Sequence, residues 1–435
     1  MKDDSRKVSP GDTFISLTGK EEYIKDAINN GASKVIVENG LYSVDTLIVN
    51  NTHEYLENYL DNIYKDKLSK IKLIGITGTN GKTTSAYLLW QILNKLDIKC
   101  GYIGTIGFFI KDKVKDLNNT TPDTLDIYDM INICINEGCK YLVMEVSSQA
   151  LSYNRIGKLM YDYAVFTNLS QDHLDYHKDM YNYALAKQKL FNHVKGKAII
   201  NYDDNNKSYF LLDNENITFG FDGGDYHITK YNVDKNLSEF TLNDILYKTN
   251  LIGKYNIYNL LISIIILDLE GITYDKEMFE NLEYPKGRME VIKYKNNKII
   301  VDYAHTPEAI ENILKTVKEL EPKNIITIIG AGGDRDSSKR SIMGSVSTKL
   351  SNYVIFTNDN PRTENPNSIL NDIVQKVDTS NYEIIPDRKK AIIKGIQMLE
   401  ENDILLVLGK GHEEYQIIGK EKVHFSDIEI INANI

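Results

Sequence analysis

The stretch Thr77-Gly78-Thr79-Asn80-Gly81-Lys82-Thr83-Thr84 follows the apolar run Ile71-Lys-Leu-Ile-Gly-Ile76 and precedes Ala86-Tyr-Leu-Leu-Trp-Gln-Ile-Leu93. Strand, glycine loop and helix in that order let backbone N–H groups close around phosphate oxygens. The helix N-terminus adds its dipole, and Lys82 adds a point charge. Residues 78–84 are therefore the expected loop for a nucleoside triphosphate, with Thr83 placed to offer its hydroxyl to magnesium. The fit to the general G-x-x-x-x-G-K-[ST] pattern is imperfect, because Ile76 stands where the first glycine belongs. A variant loop is implied.

Working outward, 435 residues exceed what one core usually serves and point to about two to three domains. Hydrophobic content of 42% and charged content of 26% are ordinary for a globular protein. No apolar run approaches the roughly 18 residues that span a bilayer, so membrane insertion is not expected. The polar start Met1-Lys-Asp-Asp-Ser-Arg6 lacks the apolar core of a secretory signal, and Cys100, Cys134 and Cys139 form no C-x-x-C pair. A cytoplasmic location with buried thiols is the reading. A net charge of -10 argues against nucleic acid as the main partner.

The pattern divides the chain into three α/β domains. Residues 1–70 alternate short strands with helices around 22–29 and 53–64. Residues 71–295 carry continuous apolar strands at 72–77, 141–146, 163–167 and 198–201, which predict a mainly parallel sheet covered on both faces. Residues 296–435 repeat that pattern with strands at 298–303, 325–330, 353–357, 382–385 and 404–408. This unit reads as Rossmann-like, but no glycine fingerprint opens its first helix, so dinucleotide binding is not inferred. Ligands are expected at the carboxyl ends of the strands.

Two groups of residues sit there. Glu145 ends an apolar strand beside the phosphate loop, where a carboxylate can hold magnesium directly or through water. Asn168-Leu-Ser-Gln-Asp-His-Leu-Asp-Tyr-His177 packs two His and two Asp into one loop. Its His-x-x-x-His spacing resembles a zinc pair, yet a hard oxygen-seeking cation suits a phosphate site better, with His173 beside it.

The ordered set of motifs resembles the Mur ligase family, and within it the members that add the third amino acid to UDP-N-acetylmuramoyl-L-alanyl-D-glutamate. The shared strings are residues 77–84, Asn119-Thr-Thr-Pro122, Met144-Glu-Val-Ser-Ser-Gln-Ala-Leu151, Thr167-Asn-Leu169, Asp172-His-Leu-Asp-Tyr-His177 and Ala186-Lys187. They continue through residues 253–259, Gly287-Arg-Met-Glu290, Asp302-Tyr-Ala-His-Thr-Pro307, Gly332-Gly-Asp-Arg335, Asp359-Asn-Pro-Arg362 and Gly409-Lys-Gly-His-Glu413. Any one of these strings is weak, but the ordered set is specific and covers nearly the whole chain.

The resemblance implies a three-domain ATP- and Mg2+-dependent ligase of peptidoglycan synthesis that makes an amide through an acyl phosphate. It implies Lys82, Glu145, His173 and Lys187 as the catalytic group, with Thr83, Glu145, His173 and Lys187, the last as a carbamate, around magnesium. Gly78, Thr79, Asn80, Gly81, Lys82, Thr83, Thr84, Asn259, Arg288 and Asp302 would bind ATP. Ser5, Asn119, Thr120, Thr121, Ser147, Tyr153 and Arg155 would bind the UDP-muramoyl dipeptide. Arg335, Asp359, Asn360, Pro361, Arg362, Gly409 and Glu413 would bind the incoming amino acid. The Arg362 fork suits the distal carboxylate of meso-diaminopimelate, which lysine lacks, and lanthionine shares that group. The implied protein is a monomer.

The chain departs from the family in a short first domain, with Ser5 almost at its start and an abbreviated segment at 17–24. Gln149 also stands where many relatives have His, and Tyr153 where some have Gln. Three readings stay open: a wall-synthesis ligase with a reduced uridine pocket, a paralogue acting on another carboxylate carrier, and a nucleotide-binding module without catalysis.

Overall fold

The apolar runs become three sheets in the computed structural model, which describes residues 1–213, 215–234 and 237–435. Strands Thr13–Ile15, Lys34–Val37 and Asp45–Ile48 pair in parallel as a small first sheet. Helix Glu21–Asn29 turns Ile24 and Ala27 onto Phe14 and Val35 to give it a core.

Among the described residues the central sheet has 11 strands, and its parallel middle runs in the order Asn216–Gly220, Val194–Asn201, Tyr161–Phe166, Lys72–Thr77, Tyr141–Glu145, Cys100–Gly104. Later strands thus flank Lys72–Thr77 on both sides. The loop after it falls at a reversal of strand order, the crevice where open α/β sheets bind ligands. Helices Lys82–Lys95 and Lys254–Leu269 cover one face, and Thr52–Leu68, Thr124–Asn136 and Met180–Gln188 cover the other. This double cover is why the strands read as unbroken apolar runs. Ile264 and Ile265 are fully buried in the first layer, and truncating either to Ala costs about 2–5 kcal/mol.

Antiparallel wings extend both ends of this sheet, with Tyr226–Asp234, Leu237–Leu242 and Ile245–Thr249 at one end and Gly107–Phe109 and Lys113–Lys115 at the other. Continuous apolar patterning does not reveal them, because these strands cover themselves on one side only. In Leu237–Leu242 the buried positions are Ser238, Phe240 and Leu242, alternating with half-exposed ones.

The third sheet orders Glu290–Tyr294, Asn297–Asp302, Ile404–Leu408, Ile325–Ile329, Tyr353–Phe356 and Tyr382–Ile384, antiparallel only at the first pair. It therefore begins ahead of the division read at 295/296. Helices Pro307–Lys318, Arg340–Leu350 and Pro366–Val374 cover one face, and Arg388–Gln397 and Asp427–Asn432 the other. Among the described residues no helix is long and apolar enough to cross a membrane.

Candidate active site

The phosphate loop is held open by backbone that only glycine adopts easily. Gly78 and Gly81 have φ of 148° and 87°. A Cβ at Gly78 would overlap the Thr167 hydroxyl, and one at Gly81 would overlap the Asn259 amide oxygen. The loop is gripped from the neighbouring strand end. The Thr79 N–H donates to Asn168 O at 2.9 Å, the Asn80 N–H donates to Asn168 Oδ1 at 2.9 Å, and Asn168 Nδ2 donates to Asn80 O at 3.0 Å. Asn168 and Thr167 form this cradle, although only their place in a shared motif marks them in the sequence.

Two lysines converge on one carbonyl. Lys82 Nζ donates to Gly78 O and Thr79 O, each at 2.8 Å, and Lys187 Nζ donates to Gly78 O at 2.7 Å. Lys187 is 1% exposed and lies 4.5 Å from the Tyr183 ring centroid, one helical turn back on Met180–Gln188. Lys189, two residues on, is exposed. Burial lowers the Lys82 ammonium's pKa, opposed by the charges of Glu145 and Asp172. Burial and then the Lys82 charge hold Lys187 well below its usual range. A buried lysine of lowered pKa spends more time as the free amine, the form that reacts with CO2 to give a carbamate.

Glu145 is 0% exposed and fully engaged. Its Oε1 accepts from the Tyr102 hydroxyl at 2.5 Å and the Thr105 N–H at 2.8 Å, and its Oε2 accepts from the hydroxyls of Thr83 at 2.8 Å and Thr105 at 3.1 Å. Thr83 and Glu145 are hard oxygen donors in contact, so the pair fits magnesium. Among the described residues no three His, Cys, Asp or Glu side chains are grouped to hold a metal ion alone. A cation here would take its other ligands from phosphate and water, as magnesium does.

His173 caps the short helix Leu174–His177 with left-handed backbone, φ 54°. Such strain in a residue other than glycine clusters at functional sites. Burial lowers its pKa to about 4, despite the opposing charge of Asp172. His177 is also lowered to about 4 by burial, and its Nε2 lies 2.9 Å from Ser148 Oγ.

Asp172 anchors the seam between the central and third sheets. It accepts from Lys339 Nζ at 2.8 Å, both side chains being buried, and lies 3.4 Å from His173 and 3.7 Å from His305. Burial would raise this carboxyl, but His305, Lys339 and His173 together hold it well below its usual range. Asn80 Nδ2 donates to Glu308 Oε2 at 3.1 Å, and Gln171 Nε2 donates to Ser338 Oγ at 2.8 Å. The paired His and Asp of the 168–177 loop are the sequence signal for this seam. Nothing in the sequence around Lys339 announces its part.

Of the three residues expected around the nucleotide, Arg288 reaches from the third sheet to the central one, while Asp302 and Asn259 are held within their own units. Arg288 Nη2 donates to Thr83 Oγ1 at 3.4 Å, while its guanidinium lies 4.5 Å from the Tyr303 ring centroid. Its Nε is buried and has no hydrogen-bond partner among the described residues, as fits a cation placed to meet an anion. Asp302 accepts from the N–H groups of Met289 and Ala304, both at 2.8 Å, and burial raises its pKa. Asn259 Oδ1 accepts from the Ser85 hydroxyl at 3.0 Å beneath the loop. Thr84 is buried in the first turn of the helix Lys82–Lys95.

The residues expected to bind the amino acid gather at the carboxyl ends of the third sheet. Arg362, with φ 50°, donates from Nη1 to Gly333 O at 2.7 Å. Arg335 lies exposed on the adjoining turn. Asn360 and Glu413 are joined at 2.8 Å, the Gln416 amide donates to Asp359 O at 2.6 Å, and Pro361, between Asn360 and Arg362 in sequence, is buried. Gly409, φ 108°, passes so close to Asp359 that a Cβ would press on its carboxylate.

The residues expected to bind the UDP substrate are more scattered. Ser147 caps the helix Ser148–Ser152 through Ala150 N–H at 3.2 Å. Thr121 is fully buried, its hydroxyl donating to Glu145 O at 2.8 Å and accepting from Ser147 N–H at 3.0 Å. That hydroxyl ties the segment ahead of the helix Thr124–Asn136 to the end of the strand Tyr141–Glu145. Thr120 reaches Thr105 at 3.1 Å, and Asn119 is exposed. Arg155 donates to Thr121 O at 3.1 Å and pairs with Asp123 at 3.0 Å, beside Tyr153, which is 58% exposed. Ser5 is buried on the turn Ser5–Lys7, which Lys7 ties to Asp126 at 2.8 Å.

Comparison with known proteins adds the following. The Mur ligase middle domain matches residues 76–267, and the Mur ligase glutamate ligase domain matches residues 287–411. A UDP-N-acetylmuramoyl-L-alanyl-D-glutamate--2,6-diaminopimelate ligase of Bacillus cereus is 40% identical over 99% of this chain and 93% of its own length. One of the same name from Fusobacterium nucleatum is also 40% identical over 99% and 93%. A solved structure of a ligase of that name superposes with a TM-score of 0.67 at 31% identity, over 100% of this chain and 94% of that one. The MurF ligase of Thermotoga maritima in complex with ADP shares the fold, with a TM-score of 0.70 at 19% identity over 95% and 96%.

Proposed function

This chain belongs to the Mur ligase family, and from that premise we propose that its site joins meso-diaminopimelate to UDP-N-acetylmuramoyl-L-alanyl-D-glutamate. It is an ATP-dependent acid–amino-acid ligase of cell-wall synthesis. The observation that carries the reading in the site is the meeting of Lys82 and Lys187 at the Gly78 carbonyl, beside Thr83 and Glu145 and across a seam from Arg362 and Glu413.

The chemistry follows from what each group offers. The D-glutamyl carboxylate attacks the γ-phosphorus of ATP, the bond to the bridging oxygen breaks, and ADP leaves. The amine of diaminopimelate then attacks the acyl carbon, loses a proton, and expels phosphate to leave the amide. Lys82 and the loop N–H groups neutralise charge on the phosphates. Thr83 and Glu145, with His173 and Lys187 as a carbamate nearby, would hold magnesium, which would supply further charge stabilisation. Asn259, Arg288 and Asp302 position the nucleotide between the sheets. Arg362 and Arg335 meet the distal carboxylate and Glu413 the distal ammonium, while Asp359, Asn360, Pro361 and Gly409 shape the pocket. Ser5, Asn119, Thr120, Ser147, Tyr153 and Arg155 line the path of the UDP-muramoyl dipeptide, with Thr121 behind them. Binding both substrates in one crevice raises the amine's effective concentration.

The assignment of residues 1–70, 71–295 and 296–435 to UDP-substrate, ATP and amino-acid domains belongs to the same proposal, as do a cytoplasmic location and a monomeric state. Incubation with ATP, magnesium, UDP-muramoyl dipeptide and a panel of amino acids tests it. Tripeptide of the diaminopimelate mass, and none with lysine, is expected. Phosphate release that requires a different carboxylate overturns it in favour of a paralogue, and no release at all favours a binding module.

A further inference from the structure

Lys410 takes no part in the mechanism above, yet it is the most completely enclosed lysine of the third sheet's ligand edge, at 0% exposure. Burying an ammonium group is costly unless it is paired and hydrogen-bonded. Its Nζ donates to Glu413 Oε2 at 3.0 Å and to Asn360 Oδ1 at 3.2 Å, and it lies 5.6 Å from the Tyr415 ring centroid. It thereby staples the 359–362 loop to the 409–413 turn, the two segments that carry most of the expected amino-acid contacts.

The staple also fixes which way an amide points. Lysine has donors only, and the Ile417 N–H is a second donor to the same Asn360 oxygen, at 3.0 Å. Asn360 Oδ1 therefore faces Lys410 and Ile417, and Nδ2 is left to donate to Glu413 Oε2 at 2.8 Å. Asn360 presents no free acceptor to an incoming ammonium group. That task falls to Glu413, whose side chain is 12% exposed and whose position Lys410 and Asn360 set together.

A second buried cation stands behind the same turn. Arg388 is enclosed with Asp427, donating to its carboxylate at 2.8 and 2.6 Å and to Leu408 O at 2.9 Å. Asp359 and Glu413 both act on its charge. Arg388 fixes the end of the strand from which Gly409 and Lys410 project, so the ammonium of Lys410 is delivered to Glu413 from a rigid base.

We propose that Lys410 is a positioning residue that orients Glu413 and Asn360 and so sets the enzyme's preference for an amino acid with a second, distal ammonium group. The inference rests on the ligase reading above. The test compares diaminopimelate with 2-aminopimelate, which keeps the distal carboxylate and lacks the distal amine, in the wild type, K410M, E413Q and the double variant. Wild type should prefer diaminopimelate. In K410M its kcat/KM for diaminopimelate should fall about tenfold or more, chiefly through KM. The values for 2-aminopimelate and the KM for ATP should stay within a factor of about three. Adding K410M to E413Q should cost no further discrimination, as expected if one residue acts through the other. K410Q, which keeps a donor for Asn360 and loses the charge, carries the same comparison if K410M does not fold. A wild type that prefers diaminopimelate, with both amino acids falling alike in the variants, overturns the inference and leaves the ligase reading standing. A wild type that makes no amide with either overturns both.

Discussion

The proposed phosphate loop and the proposed amino-acid pocket both gather cations that are buried or partly buried, but they treat them in opposite ways. At the loop, Lys82 and Lys187 meet at a neutral carbonyl oxygen, Gly78 O. In the third sheet, Lys410 rests on Glu413 and Arg388 on Asp427. Two lysines sharing one carbonyl concentrate positive charge when both are protonated, and a polyphosphate, or loss of the Lys187 proton and carbamate formation, relieves it. Cations already matched by carboxylates give little net field, and what they confer is orientation. The first region therefore selects by charge, and the second by the placement of hydrogen-bonding groups.

The largest test of this contrast removes a loop cation. K82M should lower turnover about 10²–10³-fold, since a preorganised charge at developing phosphate charge is worth that much. An effect near that of a surface lysine would break the comparison. In the pocket, R362A should raise the KM for diaminopimelate roughly 10–100-fold, the range of one charged hydrogen bond, and leave the KM for ATP unchanged. Equal loss for both substrates would remove its assigned role.

A smaller effect concerns Lys187. Stripping CO2 and bicarbonate from the assay should lower turnover several-fold, with recovery on adding bicarbonate, because its depressed pKa favours the reactive free amine. Turnover indifferent to CO2 would count against the carbamate.

The mildest effect is on stability. His177 titrates near 4 when folded and near 6.5 when unfolded. The unfolded chain therefore binds more protons between those values, and stability is full above pH 6.5 and lost as pH falls toward 4. Urea midpoints should drop across that window, and less steeply in H177Q. A slope identical to wild type would show that His177 is not the group responsible.

Much of this was legible in the sequence. Continuous apolar strands marked the buried middles of two sheets, and the glycine loop and Glu145 stood at the carboxyl ends of strands that the structure pairs side by side. The antiparallel wings escaped because strands such as Leu237–Leu242 bury alternate residues only. Cys100–Gly104 escaped because two glycines interrupt its apolar pattern. Partners from distant segments were beyond reach: Tyr102 and Thr105 on Glu145, Lys339 on Asp172, and Lys410 on Asn360 each depend on a crossover that spacing does not encode. Thr121 shows what a matching motif leaves unsaid, since the fold also engages its hydroxyl with Glu145 O and Ser147 N–H.

The central claim is that the charged loop activates a carboxylate, and oxygen transfer tests it most directly. UDP-muramoyl dipeptide carrying 18O in its D-glutamyl carboxylates, incubated with the enzyme, ATP, magnesium and diaminopimelate, should release phosphate containing one 18O atom per tripeptide formed. Phosphate free of 18O, with tripeptide still produced, would contradict the account.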